Sequence, residues 1–209
     1  MSSPNRYVYG VVEQTDVEFD ADAVGGAERV YTVDYRSLSA VVSDIDTTDP
    51  ERTDEDSKAH DEILRRVLES DDVDGVVPMQ FGMAFEDART LKSVLRGGRR
   101  AFRKALNDVE GTVELGVKLV VDEDADLLRD EIRREVGDRL SAVSEGETDD
   151  DLFSDRLLLN RSYLVADEDR EAFDEAVADV REEYDGLTVQ YTGPFAPYNF
   201  VDIRVGAQR

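Results

Sequence analysis

His60 is the single histidine of this 209-residue chain, and the chain has no cysteine. A lone imidazole beside Asp61 and Glu62 has the chemistry of a general base. Holding zinc or iron takes several nitrogen or sulfur ligands, and no second histidine or any thiolate exists to supply them. Without a nucleophile or an orienting partner at a recognisable spacing, His60 reads as a polar residue on a helix flank. Carboxylates are so abundant that no pair of them is singled out. Asp122-Glu-Asp-Ala-Asp126 opens like a calcium loop, but its sixth position is Leu127 where glycine is needed, and its twelfth is Arg133 where a bidentate glutamate is needed. It reads as a helix start. Glycine patterns for dinucleotide or phosphate binding and the serine elbow of hydrolases are missing from the sequence. The residue chemistry therefore predicts no catalytic residue, no cofactor and no metal.

One other cluster carries chemistry. Lys92, Arg96, Arg99, Arg100 and Arg103 fall on adjoining turns of a predicted helix, beside its apolar stripe. Against an acidic background such a strip can dock an acidic partner segment, or the chain's own Ser144–Asp155 stretch, or pair with nearby surface carboxylates. The background is strong: 50 acidic against 25 basic residues give a formal net charge of -25. Nucleic acid is a poor partner for such a body. The lysines are only Lys58, Lys92, Lys104 and Lys118, and this Lys-poor, acid-rich composition has a halophilic character. Molar salt shortens the Debye length to ~3 Å and screens the self-repulsion. Neither an apolar leader nor a run near the ~18 apolar residues of a membrane span is visible, so the expectation is a soluble, untargeted cytoplasmic chain without a membrane partner.

These residues must be positioned by regular elements. Arg6–Glu13, Arg29–Tyr35 and Ser37–Ser43 are β-branched and aromatic and predict a small antiparallel sheet. Asp44–Asp56 reads as a loop that caps a helix bearing Ala59, Ile63, Val67 and Leu68 at helical spacing. Asp71–Gly75 closes that helix, and Val76–Met79 reads as a strand placed by Pro78 at an edge or bulge. From Glu86 a long helix carries Leu91, Val94, Leu95, Ala101, Phe102, Ala105, Leu106 and Val109, with Gly97-Gly98 implying a kink or a close backbone approach.

The second half predicts a strand at Val113–Val121, then a helix with a narrow stripe of Leu128, Ile132, Val136, Leu140 and Val143. Ser144–Asp155 reads as a mobile acidic loop with Leu152 and Phe153 as its apolar content. Leu157–Val165 is a strand and Glu168–Tyr184 a helix, and Leu187–Tyr191 and Phe200–Val205 are strands around a Gly193-Pro194 turn. The expected fold class is α+β in two small domains, residues 1–109 and 110–209. The second is a modified ferredoxin-like β-α-β-α-β-β unit. One continuous mixed sheet is the alternative.

Four segments taken together resemble the gas vesicle protein F/L family, more its F than its L members. They are Tyr7-Val-Tyr-Gly-Val11; Leu38-Ser-Ala-Val-Val-Ser43; His60 with Val77-Pro-Met-Gln-Phe-Gly82 and Phe85; and Leu159-Asn-Arg-Ser-Tyr-Leu-Val165 with Thr192-Gly-Pro-Phe-Ala-Pro-Tyr-Asn-Phe200. The chain departs from the family at Gln80, where arginine is common, and at Phe195-Ala196, where tryptophan-proline is common. The resemblance implies a non-enzymatic accessory or minor structural protein, located at the gas vesicle and in the cytoplasm. It would bind the small hydrophobic shell protein A and other gas vesicle accessory proteins during assembly. Covering an apolar subunit in this way would prevent its aggregation. Candidate partner-binding residues are Met79, Met83 and Phe85, on a strand edge open to strand addition, and Lys92, Arg96, Arg99 and Arg103. The alternative function is a small acid–base enzyme using His60 in a cleft near Gln80 and Phe81.

Overall fold

The computed structural model describes residues 4–122 and 128–203. The chain forms two compact units, Met1–Glu110 with Ala196–Arg209, and Gly111–Phe195. The fold class is α+β, with two separate sheets in place of one continuous sheet.

In the first unit the elements are β1 (Asn5–Glu13), β2 (Glu18–Asp20), β3 (Arg29–Tyr35), β4 (Leu38–Ile45), α1 (Asp54–Leu68), β5 (Val77–Pro78), β6 (Ala84–Phe85) and α2 (Ala88–Asp108). The sheet order is β2-β3-β4-β1-β5, and β6 also pairs with β1. Pro78 lies on the edge segment, where a residue without an N–H is tolerated. β1 and β4 read as near-continuous apolar runs because both faces of the sheet are covered. Ile63, Leu64 and Val67 of α1 pack with Tyr7, Tyr9 and Val12 on one face. Leu91, Leu95, Phe102 and Leu106 of α2 pack with Val8, Val11, Ala40 and Val42 on the other.

Strict alternation would put Tyr9 and Val11 on the same face. The register of β1 against β4 slips between Val8 and Gly10, and this bulge moves Val11 to the α2 side. Gly10 is also tightly covered. A Cβ there would sit 2.7 Å from Val76 Cγ2 and 3.0 Å from Leu64 Cδ2.

Both helices begin with the side-chain cap that their sequences encode. Thr53 Oγ1 accepts from Asp56 N at 3.0 Å, and Asp54, Glu55 and Asp56 fill the first turn, where the dipole favours acids. Asp87 Oδ1 accepts from Thr90 N at 2.7 Å, and its hydrogen bonds to Thr90 hold the Asp87 carboxyl below the usual range. α2 runs unbroken through Gly97-Gly98. No backbone of another element approaches that pair: a Cβ at Gly97 would meet nothing within 4 Å, and one at Gly98 would meet Cε2 of Phe102, whose ring lies over Gly98 from the same helix, at 2.8 Å.

The second unit comprises β7 (Thr112–Val121), α3 (Arg129–Ser141), β8 (Gly146–Asp149), β9 (Leu157–Ala166), α4 (Arg170–Glu183) and β10 (Leu187–Phe195). All its strand pairs are antiparallel, in the order β10-β7-β9-β8. The element sequence is β-α-β-β-α-β, the unmodified ferredoxin-like order, with α3 and α4 supplying one side of the core.

Three expectations are corrected here. β8 lies inside Ser144–Asp155, which read as a mobile loop. Its residues, Gly-Glu-Thr-Asp, carry no apolar alternation, so nothing local marks a strand. Pairing with β9 and the contacts of Arg161 with Glu147 at 3.0 Å and Asp149 at 2.8 Å hold it in place. β10 continues through Gly193-Pro194, with an irregularity between Thr192 and Phe195, where a turn was expected. Phe200–Val205 is not a strand over its described part. Tyr198–Phe200 is a 3-10 turn, and Val201 and Ile203 pack on the α2-side core of the first unit, while residues 204 and 205 lie outside the described residues.

The described tail, residues 196–203, therefore belongs with the first unit and not with Gly111–Phe195. Apolar spacing alone cannot distinguish a strand from a strap laid on a core. The acidic helix start at Asp122–Asp126 falls largely on 123–127, outside the described residues. Leu128, expected in the α3 stripe, precedes the helix and is exposed, while Ile132, Val136 and Leu140 are buried.

Candidate functional site

His60 projects from the buried face of α1 and is 2% exposed. Its Nε2 lies 3.0 Å from the Met79 carbonyl oxygen and its Nδ1 lies 2.8 Å from the Tyr7 hydroxyl. A carbonyl only accepts, so Nε2 carries the proton and Nδ1 accepts from Tyr7. The Tyr7 hydroxyl in turn accepts from Gly82 N at 3.3 Å. Tyr9 hydrogen-bonds to Ser43 Oγ at 2.8 Å and accepts from Val24 N at 3.2 Å. The rings of Tyr7, Tyr9, Phe81 and Tyr198 surround the imidazole, with centroids 5.4 to 6.4 Å from it.

Burial lowers the His60 pKa to about 4 and raises that of Tyr9 to about 12, and it raises Tyr7 further. Both imidazole nitrogens are thus engaged and the ring is neutral. The cluster is a fastener: it ties the Met79–Gly82 segment, the tail at Tyr198, β1 and α1 to one point. The expected cleft for acid–base chemistry at His60 is filled by these side chains, because a buried polar ring is stable only where its partners close around it. The sequence places His60 on a helix flank and does not reveal Tyr7, Tyr9 and Tyr198 as its surroundings. The signal was the Tyr-x-Tyr spacing of β1, whose two hydroxyls on one face need buried partners.

The Met79–Phe85 segment is bound inward. Met79 N–H donates to the Tyr9 carbonyl at 2.8 Å, and Val8 N–H donates to the Met83 carbonyl at 2.8 Å. Met79 is 5% exposed and belongs to the α2-side core, so it offers no surface to a partner. Apolar side chains on a covered edge are drawn inside by the helix that covers it. Met83 and Phe85 are half-buried against the same core.

α2 presents the basic strip. At about 100° per residue, Lys92, Arg96, Arg99, Arg100 and Arg103 occupy one arc about 100° wide, beside the stripe of Leu91, Leu95, Phe102 and Leu106. Lys92, Arg96, Arg100 and Arg103 are exposed, while Arg99 is half-buried with its Nε lacking a hydrogen-bond partner. Among the described residues none of these five forms an ion pair. Lys104, outside the arc, pairs with Asp108. Among the described residues no surface carboxylate pairs with the strip. Among the described residues no group of three or more His, Cys, Asp or Glu is arranged to hold a metal ion, and no helix is long and apolar enough to cross a membrane.

A fully hydrogen-bonded histidine on the α1 face of the sheet and a basic strip on α2 are the distinguishing features of this α+β protein. The chain matches the model of the gas vesicle synthesis protein GvpL/GvpF family over residues 5–133 and 124–202, and it belongs to that family. It is 63% identical to gas vesicle protein F of Haloferax mediterranei over 99% of this chain and 98% of the relative. It is 61% identical to gas vesicle protein F1 of Halobacterium salinarum, covering 98% of this chain and 96% of that one. The fold is that of the crystal structures of GvpF from Anabaena sp. PCC7120 and Microcystis aeruginosa. Their TM-scores are 0.85 and 0.84 at 16% identity, with 97% and 96% of this chain and 98% and 100% of those chains covered. The family is one of gas vesicle formation. Its relatives in halophilic archaea accord with the acid-rich, lysine-poor composition.

Proposed function

We propose that this chain acts in gas vesicle assembly by binding, without catalysis, the hydrophobic shell protein A and other accessory proteins, and that it keeps the shell protein dispersed until it is incorporated. The observation that carries this reading is the α2 strip: five cations without ion-pair partners among the described residues, on a chain of net charge -25. Charges of the minority sign left unpaired on one helix are a steering and docking element, because neutralising them within the fold was available at almost no cost in such an acidic protein. The half-buried Met83 and Phe85 supply apolar surface of the kind that an unassembled shell subunit would cover. The strongly acidic remainder keeps a loaded complex soluble and away from nucleic acid. The chain would act in the cytoplasm and at the vesicle itself.

Co-purification with the shell protein in molar KCl tests this reading. Arg99→Glu/Arg103→Glu should retain a native circular dichroism spectrum and lose most of the captured shell protein. Full capture by a folded double variant would remove α2 as the docking face. Substitutions Met83→Ser and Phe85→Ser, scored for both melting temperature and capture, separate a binding role from packing. If capture falls only as far as stability does, these two residues are core.

A further inference from the structure

The Asp149–Asp155 segment is the counterpart of the α2 strip. It runs Asp-Asp-Asp-Leu-Phe-Ser-Asp, and its two large apolar side chains face solvent, Leu152 at 44% and Phe153 at 74% exposure. Most exposed apolar residues are scattered singly and need no explanation. These two are adjacent, ringed by acids and held in place. Asp150 N donates to the Asn160 carbonyl at 2.8 Å, Asn160 Nδ2 donates to the Asp151 carbonyl at 2.9 Å, and Leu157 N donates to the Ser154 carbonyl at 3.0 Å. Lys118 Nζ lies 5.3 Å from the centre of the Phe153 ring. Among the described residues Asp150, Asp151 and Asp155 have no ion-pair partner, although Asp150 accepts a hydrogen bond from Ser162. The segment is a preorganised acidic hook with an aromatic tip, and little conformational entropy remains to be lost when it docks.

We propose that this hook docks on the α2 strip of a second copy of the chain, so that copies associate head to tail. This inference rests on the reading of α2 as a docking face and names a further partner for it. Charge complementarity carries it: carboxylates without ion-pair partners around Leu152 and Phe153 meet cations without ion-pair partners on α2. The lengths agree as well. From Lys92 to Arg103 the helix rises ~16 Å, and a seven-residue hook spans at most ~20 Å between its ends. The hook and the strip are different surfaces, so the contact is heterologous, and each bound copy leaves one hook and one strip open. Two bodies of charge -25 repel at range. Molar salt, with a Debye length of ~3 Å, removes that repulsion while contact pairs and the buried phenyl ring persist. Association should therefore appear at high salt and vanish at low salt.

The test is analytical ultracentrifugation of the full chain in molar KCl, with shell-protein capture measured on the same samples. The wild type should show a mass that rises with concentration. Phe153→Asp and, separately, Arg100→Glu/Arg103→Glu should each be folded by circular dichroism and weaken association ~30-fold or more, as loss of a central aromatic or arginine anchor does. Phe153→Ser serves if the aspartate variant does not fold. Mixed one to one, the hook variant and the strip variant should form a dimer and nothing larger, because one intact hook and one intact strip remain between them. Phe153→Asp should still capture the shell protein. A wild type that stays monomeric, a mixture that stays monomeric, or a symmetric dimer indifferent to both variants overturns the proposal. If the strip variant alone loses capture while the wild type is monomeric, the docking face stands and the head-to-tail contact falls. If neither variant affects capture or mass, both fall.

Discussion

Acidification should loosen this protein through His60. Unfolded, the imidazole titrates near 6.5; folded, burial holds it near 4. Between those values the unfolded chain binds a proton that the folded chain refuses, so stability rises with pH across the window and is lost as pH falls through it. Taking 6.5 and about 4, the linkage relation gives a loss of about 2 kcal/mol on going from about pH 7.5 to about pH 5. The loss is about 3 kcal/mol at about pH 4 and levels off below it. The measurement is urea denaturation in molar KCl for the wild type and His60→Gln at both pH values. The variant forfeits the contacts to Tyr7 and Met79 and should be less stable by about 1–3 kcal/mol at the higher pH, but it lacks the proton-linked term. The gap between the two proteins should therefore shrink by about 2 kcal/mol at the lower pH. Carboxylate effects common to both cancel in the difference. A gap that stays constant would mean that His60 is not held neutral by burial, and the fastener reading would fail with it.

Gly10→Ala should cost about 1–3 kcal/mol by denaturant titration, because the new methyl meets Val76 and the Val77 carbonyl in a closed layer. Phe102→Ala, which empties the ring site over Gly98, should cost about 3–5 kcal/mol. Tyr7→Phe should cost about 1–3 kcal/mol by leaving the His60 Nδ1 and Gly82 N without their partner, with the spectrum of the fold otherwise unchanged. Lowering salt from molar to millimolar should reduce the melting temperature of the wild type, and a constant value would remove charge self-repulsion as a destabilising force.

What could be read locally was read correctly where one short-range pattern has one structural meaning. The spacing of Leu91, Leu95, Phe102 and Leu106 defines a helix and its inner face, and the same geometry aligns Lys92 to Arg103 into a strip. Pro78 assigns its segment to an edge, and the Asp44–Asp56 loop marks a helix start. The four segments that carried the family resemblance also come from sequence alone. That parts of them meet around one imidazole does not, since Tyr7, His60, Met79 and Tyr198 are far apart in the chain and become neighbours only when the sheet, α1 and the tail close.

Tertiary structure likewise decided that polar Gly146–Asp149 becomes a strand, because its pairing partner and Arg161 lie beyond its own residues. It decided that Met79 is core, since an edge segment's exposure depends on which helix lies over it. It decided that the α2 cations go without ion-pair partners among the described residues and that the tail from Ala196 returns to the first unit. Periodicity, capping and charge act over a few residues and are written into them. Burial, partners and exposure belong to pairs of distant residues, and only the closed chain selects which pairs exist.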